Sequence, residues 1–128
     1  MSSQFLKPYY DAIATAAGKA SLTGAFRESS ELTFESEHFR GVAEISTKLR
    51  GQADAEGRVF VKPVPEGGRN ISTLDALQLG GPAVVALVTG SLTLANESNP
   101  LPFAQVFVLI NDAQGSYCSD DLFQFATA

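Results

Sequence analysis

A chain of 128 residues has room for one domain with a real core, and 45% hydrophobic with 18% charged residues is a globular balance. The formal charge of -5 and the pI of about 4.7 argue against nucleic acid or an anionic membrane as the main partner, and suit a basic protein instead. One cysteine, Cys118, excludes an internal disulfide, and one cysteine with one histidine offers no metal set.

No charged-then-apolar leader opens the sequence and no apolar run approaches a membrane span, so the expected location is the reducing interior of a cell. The glycosylation sequons starting at Asn70 and Asn96 are then chance matches. Ser3 to Ala17 reads as a helix, because Phe5, Leu6, Tyr9, Tyr10, Ile13 and Ala17 recur at helical spacing on one stripe. Pro8 is tolerated only near a first turn, so this helix starts at about Lys7 or kinks. Gly18 is a stop signal, and Leu22 to Arg27 is a candidate short second helix. Gly18-Lys19 lacks the upstream glycine of a phosphate loop, and no cofactor motif stands out elsewhere.

Glu31–Glu35 alternates as a strand, with Leu32 and Phe34 on one side. Ser36-Glu37 turns it, His38-Phe39-Arg40 returns, and Gly41 ends the hairpin. Val42 to Leu49 is a short amphipathic helix through Val42, Ile45 and Leu49. Arg50 to Arg69 has loop composition, with VFVK as a possible short edge strand flanked by Pro63 and Pro65. Ile71–Leu79 is a strand, with Ile71, Thr73, Asp75 and Leu77 facing one way and Ser72, Leu74 and Ala76 the other.

Gly80-Gly81-Pro82 then turns into the stretch that dominates the chain. Ala83–Leu94, Phe103–Ile110 and Ser116–Phe125 are three strands joined by links too short for parallel crossovers, which makes an antiparallel meander. Val84, Ala86, Val88, Leu92 and Leu94 share one face of the first strand, while Val85 and Leu87 sit on the other. In the second strand Ala104, Val106, Val108 and Ile110 form one face, and Phe103, Phe107 and Leu109 the other, broken by Gln105. A small antiparallel sheet normally wets one face. Here both are largely apolar, so helices must cover one, and a partner chain, a ligand or both must cover the other. The element order gives an α+β class, with helices packed on one face of a curved antiparallel sheet, over a single domain spanning 1–128.

Four stretches in order carry a resemblance: PYYDAI (Pro8–Ile13), SELTFESEHFRG (Ser30–Gly41), ISTLDAL (Ile71–Leu77), and VTGSLTLANESNPLPFAQVFVLI with SDDLFQF in the terminal meander. Together they resemble the nuclear transport factor 2 family. The resemblance implies a cystatin-like cone of curved sheet closed by about three helices, and a homodimer through the open sheet face. It implies a non-enzymatic carrier of the GDP form of Ran through the nuclear pore, found in cytoplasm and nucleus, with Phe-Gly repeat nucleoporins as a further partner.

Carried over residue by residue, Phe34 matches the family's aromatic at the cavity mouth and Glu35 its key carboxylate. Leu122 and Phe123 match the cavity-lining pair near the end, and Leu101 lies near another lining position. The loop before Asn99-Pro100 is acidic in the family; here Glu97 alone keeps a charge. The family's pore-repeat contact uses an N-terminal tryptophan, and this chain has none. Arg50–Asn70 is longer than the family's link beside the cavity.

Two other functions fit the same fold. One is a small subunit that pairs with a larger messenger RNA export receptor. The other is a cavity enzyme of the ketosteroid isomerase or dehydratase type, for which Glu35 with Tyr9 or Tyr10 would be the catalytic set. No second acid on an inward-facing strand stands out for it. The remaining notable residues have structural readings. His38 is a surface or capping residue. Tyr9 and Tyr10 pack with hydroxyls satisfied at the rim. Asp120-Asp121 is a structural pair, and Cys118 a small buried apolar residue.

Overall fold

The computed structural model describes residues 2–79 and 81–126. Helix α1 spans Ser2–Ile13 and runs through Pro8 instead of starting at it. A proline there costs a backbone hydrogen bond, and burial of Tyr9, Tyr10 and Ile13 offsets it. The side chains of Phe5 and Leu6, the start of the expected stripe, lie outside the described residues. A second helix, α2 (Ala16–Ser21), follows at once, capped by Thr15, whose hydroxyl accepts the N–H of Gly18 at 3.0 Å. A single 3-10 turn covers Leu22–Ala25, shorter than the helix expected there.

Gly18 is therefore no stop signal. It sits inside α2 where a Cβ would overlap the carbonyl of Ala12, and so lets α2 pack directly on α1. Helix propensity alone makes Gly18→Ala a gain of about 1 kcal/mol. The backbone contact reverses the sign, and we expect a loss of about 3 kcal/mol in urea unfolding.

Strands β1 (Glu31–Phe34) and β2 (Glu37–Arg40) form the expected hairpin, and α3 (Gly41–Arg50) the expected helix. The turn differs: its two residues are Glu35 and Ser36, at φ of 51° and 74°. Two positive angles are what a two-residue hairpin matching strand twist requires. The long link contains a separate small hairpin, β3 (Gln52–Ala53) with β4 (Val59–Val61), so the edge-strand reading of VFVK is met by a local partner. The link returns to the core at Val64, which is buried and donates its N–H to the Lys48 carbonyl at 3.1 Å.

Strands β5 (Gly67–Gln78), β6 (Ala83–Leu94), β7 (Leu101–Asp112) and β8 (Gly115–Phe125) complete a six-stranded sheet in the order β2-β1-β8-β7-β6-β5. The meander is as expected, but β1 joins β8 in parallel, so the sheet is not antiparallel throughout. Strand β5 starts four residues before Ile71, at Gly67. A register shift between Ile71 and Thr73 splits the face expected of it: Ile71 pairs with Gly90, while Thr73, Asp75 and Leu77 pair with Thr89, Leu87 and Val85 on the opposite face. The three helices cover the concave face. Its core holds Val88, Leu92, Phe103, Phe107, Leu109, Phe123, Leu32 and Phe34 against Tyr9, Tyr10, Ile13, Ile45 and Leu49. On the other face Leu77, Leu87 and Leu122 remain 62%, 43% and 44% exposed. The two-faced apolar character read from the strands is thus real, and helices cover only half of it.

Candidate functional site

Strand register brings the expected residues to one end of the concave face. Phe34 is the last residue of β1 and pairs with Phe123 in β8, Gln105 in β7 pairs with Phe123 in turn, and Leu101 opens β7 opposite Leu92. Phe34 and Phe123 lie stacked, 4.8 Å between centroids and 6° between planes. Phe103 stacks on the far side of this pair at 5.1 Å from Phe123, and Phe125 meets Phe123 edge-on at 5.2 Å. Phe34 and Phe123 are only 7% and 3% exposed, so the rings fill this end of the concavity. Leu101, at 39%, is the apolar residue they leave at the rim.

Glu35 projects from the turn next to Phe34. Its backbone N–H reaches the Phe123 carbonyl at 3.0 Å, and its Oε1 accepts the N–H of Phe125. These two bonds tie the turn to the end of β8 and hold a non-glycine residue in the left-handed region that the two-residue hairpin requires, at a cost of order 1 kcal/mol. One carboxylate oxygen is thereby fixed, and the side chain stays exposed at the mouth.

Glu97 lies in the β6–β7 loop at the same end of the sheet, its N–H on the Leu94 carbonyl at 3.0 Å. It lines a hollow of about 380 Å³ with Lys19, Val64, Pro65, Glu66 and Leu94. Phe34, Glu35, Leu101 and Phe123 do not line this hollow; Glu66, its second carboxylate, was missed because it lies in the long link whose path could not be read. Lys19 is buried beside it, its ammonium donating to the Val64 carbonyl and lying 3.8 Å from Glu66. Burial pulls the Lys19 pKa below its ordinary value, with Glu66 acting against that.

Leu122 is not with this group. It pairs with Val106 and Thr33 on the outer, uncovered face, while its neighbours Asp121 and Phe123 point inward. Consecutive strand residues cannot line one hollow, so the cavity-lining pair is Phe123 without Leu122.

Asp121 corrects a second expectation, that no inward acid exists. It is 1% exposed and accepts the Tyr9 hydroxyl at 2.6 Å and the Gln105 amide at 2.6 Å; the Tyr10 hydroxyl donates to Gln105 at 2.8 Å. The tyrosine hydroxyls are therefore satisfied in the interior, not at the rim. Burial raises the Asp121 carboxyl to a pKa of about 6, with the bonds from Tyr9 and Gln105 and the nearby Arg69 acting downward. Burial, then the Asp121 charge, raise the Tyr9 hydroxyl well above its ordinary value. An acid, an amide and two phenols would suit enolate chemistry, but all are sealed from solvent and hold one another. His38 is exposed, bonded to Glu31 at 2.7 Å and Thr33 at 3.0 Å, and Cys118 is buried; both match their structural readings. Asp120 lies on the outer face opposite Val108.

Among the described residues no group of three or more potential ligands could hold a metal ion, and no helix is long and apolar enough to cross a membrane.

The nuclear transport factor 2 (NTF2) domain profile matches residues 1–125. The chain is 35% identical to nuclear transport factor 2B of Arabidopsis thaliana over 127 residues, covering 97% of this chain and 90% of that protein. It is 32% identical to nuclear transport factor 2 of Saccharomyces cerevisiae over 126 residues, covering 97% and 90%. The structure of nuclear transport factor 2 from Cryptosporidium parvum superposes with a TM-score of 0.76 at 26% identity, over 97% of this chain and 90% of that one. With the cone of sheet, its helical cover and the full-length match in agreement, the chain belongs to the nuclear transport factor 2 family.

Proposed function

We propose that this chain is a non-enzymatic carrier in nuclear transport, moving between cytoplasm and nucleus through the pore with the GDP form of Ran as its cargo. Its relatives' shared name supports the transport role. The observation that carries the binding reading is the convergence of Phe34, Phe123 and Leu101 with the exposed carboxylate of Glu35 at one end of the concave face. Buried aromatic anchors with a charged rim are the ordinary build of a binding hot spot. Rim carboxylates, here Glu35, Glu97 and Glu66, steer a basic surface and fix its orientation.

The outer sheet face, with Leu122 at its centre, serves a second copy of the chain. Any contact with Phe-Gly repeats falls on residues other than tryptophan. Asp121 and Tyr9 are buried and bonded to each other, which favours a carrier over an isomerase-like enzyme.

Capture of GDP-loaded Ran on immobilised protein tests the reading. Glu35→Lys is expected to weaken capture by about 2–5 kcal/mol, thirty-fold or more. Glu35→Gln keeps an acceptor for the Phe125 N–H and loses only the charge, so it separates pairing from support of the turn. Equal capture by wild type and Glu35→Lys, or no capture by either, removes the assignment.

A further inference from the structure

The sheet ends at β2, which pairs with β1 on one edge and with no strand on the other. In a two-residue hairpin the flanking residues, Phe34 and Glu37, exchange both backbone hydrogen bonds, and alternation makes Leu32 and Phe39 the next such pair. His38 and Arg40 therefore turn their N–H and C=O groups away from β1. The Glu44 carboxylate takes the outward N–H of Arg40 at 3.0 Å. Nothing among the described residues takes the backbone groups of His38. An open strand edge is a template for an incoming chain.

A hollow of about 370 Å³ lies against this edge, lined by His38, Phe39, Ala43, Thr47, Gln52 and Val61, with Glu44. His38 and Phe39 are consecutive and point to opposite faces of the sheet, so a hollow that touches both lies beside the strand. Helix α3 supplies Ala43 and Thr47, and the small hairpin of the long link supplies Gln52 and Val61, which are register partners. The carboxylates here are engaged: Glu31 with His38 at 2.7 Å, Glu37 with Lys48 at 3.0 Å, and Glu44 with Arg40. Two cations are not. The side chains of Arg40 and of Lys62, which follows Val61, are exposed and meet no carboxylate among the described residues.

We propose that this edge is a docking groove for a short extended segment of a partner protein, in which an acidic residue has an apolar neighbour. The segment adds one rung to β2: it accepts the His38 N–H and donates an N–H to the His38 carbonyl. The acidic side chain then shares a face with His38 and Arg40. Its neighbour points to the opposite face, where the hollow receives it against Phe39, Ala43 and Val61. Helix α3 begins at Gly41, so the ladder stops there and His38 alone sets the register. The groove goes beyond the cargo reading, since it shares no residue with Phe34, Glu35, Leu101 and Phe123.

The probe is the capped tripeptide acetyl-Leu-Asp-Leu-amide, which offers an apolar side chain on either side of the acid. In NMR titrations of the full chain it is expected to shift the amides of His38, Phe39 and Ala43 and to slow hydrogen exchange at His38. N-methylation of the probe's aspartate nitrogen removes the donor to His38 and is expected to weaken binding about ten-fold. Ala43→Phe fills the hollow from an exposed helix position, with an expected loss of about ten-fold or more. Arg40→Ser is expected to erase the preference for the probe over its asparagine analogue. No binding to wild type, equal binding of the N-methyl probe, or shifts confined to Phe34, Glu35 and Leu101 overturns the proposal. If Ala43→Phe does not fold, the N-methyl probe decides on the wild type alone. A lower mass of Ala43→Phe in light scattering would show that the groove joins copies of this chain, which also overturns it. Ala43→Phe is expected to capture GDP-loaded Ran as wild type does; loss of capture by this variant alone would make the groove part of the cargo site. Failure of wild type to capture Ran would sink the transport reading and leave the probe result standing.

Discussion

Asp121→Asn is expected to gain about 3 kcal/mol on the wild type between pH 4 and pH 7. The wild-type carboxyl is raised by burial to a pKa of about 6 from an ordinary 3.8. A raised acid stabilises the fold fully below its unfolded pKa, and that contribution fades as pH climbs through the folded one. About two units at 1.36 kcal/mol each give the figure. Asparagine can accept from only one of Tyr9 and Gln105, so the prediction is read from how the gap changes with pH and not from its size at pH 4. Above pH 6 the wild type alone keeps a buried negative charge, in contact with Tyr9 and Gln105 and near Arg69 and Cys118. Urea unfolding of both proteins at four or five pH values measures the gap. A gap that stays flat from pH 4 to pH 7 would show that Asp121 keeps an ordinary pKa in the folded state.

Leu122→Glu is expected to turn a dimer into a monomer. The outer face carries Leu77, Leu87 and Leu122 in the open, and Leu122 lies between Val106 and Thr33 near the middle of the sheet. In a two-fold pair each change occurs twice. Leu122 is 44% exposed before pairing, so losing that burial twice costs about 1.5–3 kcal/mol, ten-fold or more in dissociation constant, before the buried charge is added. Light scattering during size-exclusion chromatography reads the mass directly. A wild-type protein that is already monomeric, and pairs only with a larger relative, would instead favour the export-subunit reading.

The meander was legible because alternation over long strands is a strong local signal; the hairpin showed in a shorter alternation, and α3 in the helical spacing of Val42, Ile45 and Leu49. Two bulges were not. Ser72 breaks the register of β5 between Ile71 and Thr73, and Ser119 that of β8 where Val108 and Leu109 pair with Asp120 and Cys118. Each inserts a residue and swaps the faces beyond it. Strict alternation from Cys118 would put Asp120 and Leu122 inward; the bulge puts Asp121 and Phe123 there. Nothing in SYCSDDLFQF announces that bulge, and the inward placement of Leu122 came from the family resemblance and not from alternation. The burial of Lys48 was missed for another reason. Its helical position is polar by pattern, and only the tertiary approach of Phe34 and Glu37 buries it. Glu35 was found through family resemblance, since its own spacing says no more than an exposed strand end.

The parallel seam between β1 and β8 has a consequence for biosynthesis. Phe34 and Glu35 leave the ribosome well before the ring that stacks on one and the amide that anchors the other; Glu35 and Phe125 are 90 residues apart. Pairings so far apart in sequence form late, after the loop between them has closed. A nascent chain therefore has no mouth to offer until Phe125 has emerged, and anything that recognises this end of the sheet has to wait for it.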